Sequence, residues 1–281
     1  MTALTTLSDG NIASGSFDGT IKFWNIETGE CTKTITGHSL NKGPLVTVNS
    51  LITMENGYII SGSMDESIKI WDKTGKEIRT LQNNMPIYSI ANLGEGTIAT
   101  GTSDEEIRIW NIMTGKVIKS LKGRLSFYSV NSLLVMENKN LISASGEELR
   151  IWDLSKNHPL KILKGHKGTI TSVIDLSNGN IASSSIDHTI KIWNTDTETS
   201  KRTLTGHTSP VTKLVKLVNG NIASASFDGK IKIWNIDTKE CIKTLEGHTD
   251  AVKALETLQN GNLISGSGDK TIRIWDFKFY D

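Results

Sequence analysis

Residues 206–245 read GHTSPVTKLVKLVNGNIASASFDGKIKIWNIDTKECIKTL, and this stretch decides the fold. It contains four short runs of aliphatic and β-branched residues separated by turn signals, which predicts four antiparallel β-strands. The predicted strands are Val211 to Leu217, Ile222 to Ser226, Lys230 to Trp234 and Cys241 to Leu245. The pairs Asn219-Gly220 and Asp228-Gly229 are of the type found in tight hairpin turns. No segment sustains a 3.6-residue period beyond a turn or two, so a helical interpretation fails.

The same pattern recurs along the chain, and one tryptophan marks each copy. The tryptophans lie 39 to 47 residues apart, and each is followed by Asn or Asp: Trp24, Trp71, Trp110, Trp152, Trp193, Trp234 and Trp275. Units of about 41 residues with four short strands are typical of propeller blades. We therefore predict an all-β protein, a seven-bladed β-propeller with four-stranded antiparallel blades, in which residues 1–281 form a single domain.

The composition excludes several classes of function. Lys plus Arg is 31 and Asp plus Glu is 30, so the chain lacks the excess of basic charge that a nucleic-acid binder needs. No apolar run approaches the roughly 18 residues of a membrane helix, and residues 1–10 lack the pattern of a signal peptide. Two cysteines, Cys31 and Cys241, cannot form a disulfide framework. We expect a cytoplasmic protein with no nucleic-acid and no membrane partner.

The repeated polar residues carry a family resemblance. Each complete unit has Gly-His, then Ser-x-Ser-x-Asp, then Ile-Lys-Ile-Trp or a close variant, which resembles the WD-repeat (WD40) β-propeller family. The resemblance implies an internal hydrogen-bond chain from Asp to His to Ser to the Trp indole, which satisfies buried polar groups. Four units have this complete structural tetrad: His38, Ser61, Asp65, Trp71; His166, Ser183, Asp187, Trp193; His207, Ser224, Asp228, Trp234; and His248, Ser265, Asp269, Trp275.

A Ser, a His and an Asp together also fit a hydrolase, because an oriented imidazole activates a hydroxyl nucleophile. One active site would not be copied four times along a repeat array, and no unrepeated cluster of catalytic residues is present, so we predict no enzyme and no catalytic residues. His158 and His188 lack partners at metal-binding spacing and are expected at the surface. No phosphate-binding loop is present, and we expect no metal and no cofactor.

The third and fourth units depart from the pattern. Asn83-Asn84 and Gly123-Arg124 stand where the other units have Gly-His, so we expect these two blades to be less well braced and easier to open locally. A basic residue two positions before each tryptophan is expected to extend its long side chain to solvent. These residues are Lys22, Lys69, Arg108, Arg150, Lys191, Lys232 and Arg273.

In the WD-repeat family, which this sequence resembles, the loops that lead into the first strands meet the loops that join the second and third strands. Loops on a rigid scaffold are where recognition resides. We expect six residues there to form an apolar ring that binds a protein or peptide: Phe17, Met64, Tyr88, Tyr128, Ile186 and Phe227. The alignment of the units predicts one exposed position near the start of each first strand. The residues at this position are Thr2, Val46, Tyr88, Tyr128, Thr171, Thr212 and Lys253. Pro44, Pro86 and Pro210 fall on the same rim, and Ser39 to Pro44 form an extended loop.

The last unit ends soon after its third predicted strand. The seventh blade is therefore expected to lack its outer strand, unless Phe277 to Tyr280 supply it or the chain is part of a larger protein. An unpaired edge is a site for strand addition by another chain. The leading functional hypothesis is a non-enzymatic protein–protein interaction scaffold. The alternative is a substrate-recognition subunit of a larger ubiquitin-pathway or signalling complex.

Overall fold

The computed structural model describes residues 1–38, 46–123, 128–177, 179–197 and 199–276. Within these ranges the chain forms 27 β-strands arranged in seven antiparallel sheets. The strands of each sheet follow one another in chain order, so every sheet is a meander. The chain divides into two compact units, Met1–Val130 and Asn131–Asp281.

The first unit contains three complete sheets, which we number as blades one to three. Blade one consists of β1 (Ala3–Thr6), β2 (Ile12–Gly15), β3 (Ile21–Trp24) and β4 (Cys31–Ile35). Blade two consists of β5 (Val48–Thr53), β6 (Ile59–Ser63), β7 (Ser67–Trp71) and β8 (Glu77–Gln82). Blade three consists of β9 (Ile87–Gly94), β10 (Thr97–Thr102), β11 (Glu106–Asn111) and β12 (Lys116–Lys122).

The other four sheets are blades four to seven. Blade four consists of β13 (Val130–Val135), β14 (Leu141–Ser145), β15 (Glu148–Trp152) and β16 (Pro159–Lys164). Blade five consists of β17 (Ile170–Ser177), β18 (Asn180–Ser185), β19 (Ile190–Asn194) and β20 (Ser200–Leu204). Blade six consists of β21 (Val211–Lys216), β22 (Ile222–Ser226), β23 (Ile231–Trp234) and β24 (Cys241–Leu245). Blade seven consists of β25 (Val252–Thr257), β26 (Leu263–Ser267) and β27 (Ile272–Trp275).

These sheets confirm the predicted fold class, an all-β seven-bladed β-propeller. The four strands predicted in blade six agree with the observed strands to within one residue at every boundary. Among the described residues the seventh sheet has three strands, as expected for an incomplete last blade. The alternative that Phe277 to Tyr280 supply a fourth strand lies outside the described residues.

The hydrophobic core lies between neighbouring sheets. In the first unit, Ile21 and Phe23 of blade one pack in one cluster with Leu51, Ile59 and Trp71 of blade two. In the second unit, residues of blades five and six form an equivalent cluster around Trp234. A single blade therefore has no core of its own, and its stability depends on the adjacent blade.

The second strand of a blade is buried on both faces, which requires small side chains. Gly62 in β6 shows the reason: a Cβ added there would lie 2.5 Å from Cγ2 of Ile87 in the next blade. In the same way, a Cβ added at Gly15 in β2 would lie 2.7 Å from Cγ1 of Val48. The Ser, Ala and Gly residues of these strands thus let adjacent sheets approach closely.

The turn between the second and third strands requires a left-handed backbone conformation directly after its aspartate. Gly229 has φ 76° there, as its Asp-Gly sequence predicts. The equivalent residues also have positive φ, whether or not they are glycine: Gly19, Glu66, Glu105, His188 and Lys270. A side chain in this conformation costs about 1 kcal/mol, so four of these turns are strained.

We predict that Lys270→Gly raises the free energy of unfolding by about 0.5–1 kcal/mol, because glycine adopts the required φ of 68° without strain. The matched control is Gly229→Ala, which should lower it by about 1 kcal/mol by introducing the same strain. Urea denaturation measures both variants. A decrease for Lys270→Gly would show that the side chain contributes more than the backbone strain costs.

Candidate functional site

Blade six contains a continuous chain of side-chain hydrogen bonds. Trp234 Nε1 donates to Ser224 Oγ at 2.8 Å, Ser224 Oγ lies 2.7 Å from His207 Nε2, and His207 Nδ1 lies 2.8 Å from Asp228 Oδ2. An ionised carboxylate only accepts, so Nδ1 must be protonated, and in the neutral imidazole Nε2 then accepts from the serine hydroxyl. Every hydrogen bond in the series therefore has its donor on the indole side and its acceptor on the carboxylate side.

Three other blades repeat this arrangement. In blades two, five and seven the His Nδ1–Asp distance is 2.7–2.9 Å, the His Nε2–Ser distance is 2.7–2.8 Å and the Trp–Ser distance is 2.8–2.9 Å. The residues are those of the predicted tetrads of His38, His166 and His248. The structure therefore brings together every member of the four tetrads.

The tetrad serines are inaccessible to a substrate. Ser61, Ser183, Ser224 and Ser265 are each 0 % exposed. Each hydroxyl also accepts from an indole while it faces the imidazole. A nucleophile needs a free approach to an electrophilic carbon, which these hydroxyls lack. The hydrogen-bond chain is therefore internal bracing.

The tetrad aspartate joins two loops. Asp228 accepts from His207 and from the backbone N–H of Thr208 at 3.2 Å, both in the loop before β21. It also accepts from the backbone N–H of Lys230 at 3.0 Å, in the turn between β22 and β23. Asp187 makes equivalent contacts with Lys167 and Thr189. One carboxylate thus fixes the turn and the preceding loop against each other.

These contacts shift the pKa values of the tetrad groups. Burial acts to raise the pKa of Asp65 and Asp187, but hydrogen bonds from the adjoining histidine, hydroxyl and backbone groups outweigh it and hold each pKa at about 2. Burial lowers the pKa of His166 and His207 against the opposing effect of their aspartates. Both imidazoles are therefore neutral at pH 7, in agreement with the proton directions above.

Blades three and four keep the tryptophan bond and replace the histidine. Trp110 donates to Thr100 at 3.0 Å, and Trp152 donates to Ser143 at 2.8 Å. In blade three, Arg108 donates to the buried Asn83 and to Glu106. The predicted Gly123-Arg124 replacement falls partly outside the described residues, because Arg124 is not among them. The local opening of these blades stays a prediction.

The prediction that the basic residue before each tryptophan extends to solvent is wrong for Arg108 and Arg150. Their side chains are only 17 % and 4 % exposed, because each bends back to a glutamate of its own strand, Glu106 or Glu148. Lys69 is also covered, since its Nζ bonds Glu77 at 2.7 Å and Thr80 at 2.8 Å on the outer strand. Arg273 in blade seven is exposed, as expected.

Four of the six predicted partner-binding residues occupy one position, directly before the turn aspartate. Phe17, Ile186 and Phe227 are 55 %, 44 % and 48 % exposed, and Met64 is half-buried. The backbone N–H of Phe227 donates to Pro210 O at 3.0 Å. Ile186 and Met64 are attached in the same way to the loop before the first strand. We call the surface that these turns and loops form in each unit the loop face of that unit.

The predicted alignment of the exposed position in the first strand is wrong in blades two and four. Tyr88 is the second residue of β9 and is half-buried. Val46 is only 6 % exposed and lies two residues before β5, and Tyr128 is 46 % exposed and lies two residues before β13. The loops before these strands differ in length, which shifts the alignment by three residues. Asn49 and Asn131 are the true equivalents of Tyr88. The extended loop from Ser39 to Pro44 lies outside the described residues.

The correct alignment reveals polar contacts between blades that sequence reasoning missed. Thr212 Oγ1 donates to Val252 O of the next blade at 2.6 Å, and Thr171 Oγ1 donates to Val211 O at 2.6 Å. The equivalents Thr2, Asn49 and Asn131 also donate to the first strand of the following blade at 2.5–3.0 Å. The sequence signal for these contacts is the polar residue that follows the first apolar residue of these first strands.

The remaining candidate residues are at the surface. His158 and His188 are exposed, as expected, and Cys31 and Cys241 are exposed free thiols. Within the described ranges, no group of three His, Cys, Asp or Glu residues is arranged to hold a metal ion. The same part of the chain contains no helix that is long and apolar enough to cross a membrane.

The meander sheets and their buried tetrads define a propeller of the WD-repeat class. The family model described as WD domain, G-beta repeat matches residues 1–25, 29–72, 75–111, 157–194, 198–235 and 239–276. The chain belongs to this WD40 family. The matches omit residues 112–156, which contain the fourth tryptophan unit, where Gly146-Glu147 replace the turn aspartate. No curated protein matches the chain. WD40 propellers are generally protein-interaction scaffolds and are typically non-enzymatic.

We predict that His207→Ala lowers the free energy of unfolding by about 1–3 kcal/mol, because it removes a bonding partner from the buried Ser224 and from Asp228. The matched control is His158→Ala, an exposed histidine whose loss should change stability by less than about 0.5 kcal/mol. Chemical denaturation compares the two. Equal stability of both variants would contradict the bracing role.

We predict that acid destabilises the protein in two stages. His166 and His207 have lowered folded pKa values, so their contribution is present above an unfolded pKa of about 6.5 and declines as the pH falls below it. Asp65 and Asp187 contribute above an unfolded pKa of about 3.9, and this is lost as the pH falls towards their folded value of about 2.

Thermal unfolding from pH 7 to pH 5 isolates the first stage. The double variant His166→Gln, His207→Gln cannot titrate in this range at these positions. It should be less stable than the parent at pH 7 but lose less stability between pH 7 and pH 5. Parallel pH profiles for the two proteins would refute the assignment to these histidines.

Proposed function

We propose that this protein is a non-enzymatic scaffold that binds a protein or peptide partner through its loop face. The observation that carries the proposal is the repeated exposure of a large apolar side chain directly before the turn aspartate. Phe17, Ile186 and Phe227 occupy this position in three different blades, each about half exposed. Aromatic and large aliphatic side chains are favoured at the centres of protein interfaces.

The exposed side chains stand on a rigid base. Phe227 precedes the tetrad residue Asp228, which holds the turn to the loop before β21. Its own N–H is bonded to Pro210, and Ser226 Oγ donates to Ser209 O at 3.1 Å. Binding to a surface that is already ordered costs less conformational entropy than binding to a flexible loop. The bracing therefore supports recognition as well as stability.

The loop face of the second unit also carries positive charge beside the aromatic group. Lys253 Nζ lies 5.9 Å from the centre of the Phe227 ring, within the range of a cation–π contact. A partner segment with an apolar side chain next to an acidic one would match this pair. The proposal thus specifies, in the second unit, an apolar–acidic contact at blade six and an apolar contact at blade five.

We propose that the protein acts in the cytoplasm and binds neither nucleic acid nor membrane. The exposed thiols of Cys31 and Cys241 support a reducing compartment, where such groups persist. The formal net charge of +1 supports the absence of a nucleic-acid partner, because polyanion binding needs a strong excess of basic charge.

We predict that peptides selected from a displayed random library against the folded protein bind the loop face. Phe227→Ala, Tyr88→Ala and the double variant should each weaken the binding of a selected peptide by at least about tenfold where that residue is contacted, without unfolding the protein. Isothermal titration calorimetry gives the affinities, and circular dichroism checks the fold.

The matched controls are Val218→Ala and Met113→Ala. These side chains are 88 % and 68 % exposed, and they lie in the turns after a first strand and after a third strand, at the opposite ends of their strands from the loop face. Both control variants should retain full affinity. A selected peptide could instead lose affinity for the Val218 or Met113 variant and keep its affinity for the Tyr88/Phe227 double variant. That result would exclude the loop face as the binding site.

A further inference from the structure

The fourth strands of blades two and three carry aliphatic side chains in contact with solvent. Among the described residues of the first unit, six large apolar side chains are well exposed, and three of them lie on these two strands. They are Ile78 in β8 and Val117 and Ile118 in β12, which are 48 %, 43 % and 60 % exposed. Exposed apolar side chains that are grouped, unlike isolated ones, mark contact sites.

These side chains lie at the gap between the two blades. Ile70 of blade two and Trp110 of blade three belong to one core cluster. Arg79 is paired with Ile70 across β7 and β8, and Val117 is paired with Trp110 across β11 and β12. Since residues directly opposite each other in a sheet share a face, Arg79 and Val117 line the two sides of this gap.

The fourth strand of blade two contacts the turn that leads into the fourth strand of blade three. A Cβ added to Gly115 in that turn would lie 3.0 Å from Nη1 of Arg79 and 3.2 Å from Cδ2 of Leu81. Gly115 is two residues before Val117, so the aliphatic and basic side chains of β8 and β12 form one surface. We call this surface the outer patch, and it consists of Ile78, Arg79, Lys116, Val117 and Ile118.

The gap between blades two and three differs from the other gaps. Opposite its tryptophan, blade three has the branched aliphatic residue Val117, and none of the other complete blades has one there. The equivalents are Cys31, Glu77, Pro159, Ser200 and Cys241. Val117 therefore extends the apolar surface between the blades outwards, where the other blades have a smaller or a charged side chain.

The surroundings of the outer patch are basic. Residues 72–82 and 111–122, which run from the tryptophan to the end of the fourth strand, contain six Lys or Arg and two Asp or Glu. Their formal charge is +4, in a chain whose net charge is +1. Both acids have partners within blade two, because Glu77 bonds Lys69 at 2.7 Å and Asp72 accepts from the backbone N–H of Thr74 at 2.8 Å. The equivalent residues of blades five and six, 194–204 and 235–245, have a formal charge of zero.

The cations around the outer patch are available to a partner. Within the described ranges, five of the six form no ion pair: Lys73, Lys76, Arg79, Lys116 and Lys122. An acidic partner would therefore gain contacts with them without breaking existing ones. A second copy of this chain fits poorly, because a symmetric dimer would place the same basic surface against itself.

The shape of the two strands favours a helical partner over an added strand. Val117 and Ile118 together oppose the single residue Trp110, which is the pattern of a β-bulge. β8 has the same bulge at Ile78. A bulge bends an edge strand and disturbs the row of main-chain groups that another strand would pair with. Recognition then depends on side chains, as it does when a helix lays an apolar stripe into a groove.

We propose that the outer patch binds an amphipathic helix of a partner protein that has aliphatic residues along one face and Asp or Glu on both sides of that face. The aliphatic residues contact Ile78, Val117 and Ile118. The carboxylates pair with Arg79 and Lys116. The outer patch is separate from the loop face, and this proposal is independent of the proposed function.

The test uses the full chain and a displayed library of helical peptides. Leucine occupies one face of every peptide, and each position flanking that face is Glu, Gln or Lys. Selection should enrich Glu at the flanking positions. In fluorescence anisotropy, the enriched peptide should bind at least about tenfold more tightly than the same peptide with Lys in place of Glu. A higher salt concentration should weaken its binding, because salt screens the attraction between exposed charges.

Protein variants locate the site. Ile118→Glu and Lys116→Glu should each weaken binding of the enriched peptide at least about tenfold, because each places a carboxylate against an acidic peptide. Since both side chains are exposed, the melting temperature should change little. Ile242→Glu is the matched control and should bind normally, because Ile242 is the bulge residue of blade six, is 52 % exposed and lies in an uncharged setting. Phe227→Ala should also bind normally.

Four outcomes would overturn the proposal. The first is a selection that enriches no peptide or enriches Glu, Gln and Lys equally, and the second is an equal loss of affinity in Ile118→Glu and Ile242→Glu. The third is binding to vesicles of anionic lipid that Ile118→Glu abolishes and the peptide does not compete with, which would make a membrane the occupant. The fourth is a concentration-dependent dimer that Ile118→Glu abolishes and the peptide does not dissociate, which would make a second copy of this chain the occupant.

Discussion

The constraint on which this structure depends is that no blade can bury its own faces. The second strands are covered on both sides, and tryptophans such as Trp71 and Trp234 lie in clusters shared with the preceding sheet. Close approach of the sheets requires glycine, alanine or serine at the contact, as Gly62 against Ile87 shows. Any polar group placed in this tight interface must be fully bonded, because an unpaired buried group costs about 1–3 kcal/mol. The tetrads meet that requirement.

Under the proposed function, the tetrads connect stability with recognition. A chain such as Trp234, Ser224, His207 and Asp228 begins in the apolar interface and ends at the turn that carries Phe227. The carboxylate holds two loops together, so the exposed side chain beside it has a defined position. The residues that would engage a partner are therefore held by groups that cannot reach the partner themselves.

Blades three and four show that polar groups in the same kind of interface can be paired by other residues. In blade three Arg108 bonds Asn83 and Glu106, and Trp110 keeps its bond to Thr100, whose hydroxyl donates to the backbone carbonyl of Arg108. Arg150 is similarly buried and paired with Glu148. A covered guanidinium needs acceptors; Asn83 and Glu106 provide them for Arg108, and Glu148 provides one for Arg150. Both blades retain buried tryptophans, Trp110 and Trp152.

The amino-acid sequence by itself determined the strands, the turns and the members of the four tetrads. These features depend on local alternation and on residue types that recur at a fixed spacing, such as Ser224 and Asp228 before Trp234. Only the tertiary structure decided that Asn49 and Asn131, and not Val46 and Tyr128, are the equivalents of Tyr88, because loops of different length lead into those strands. It also decided that Arg150 is buried and Ile274 exposed. Arg150 is buried because its side chain bends back to Glu148. Ile274 is exposed, whereas equivalents such as Phe23 and Ile233 pack in a core shared with the following blade. Both outcomes depend on contacts that form only in the folded protein, and the residue's own sequence context contains no information about them.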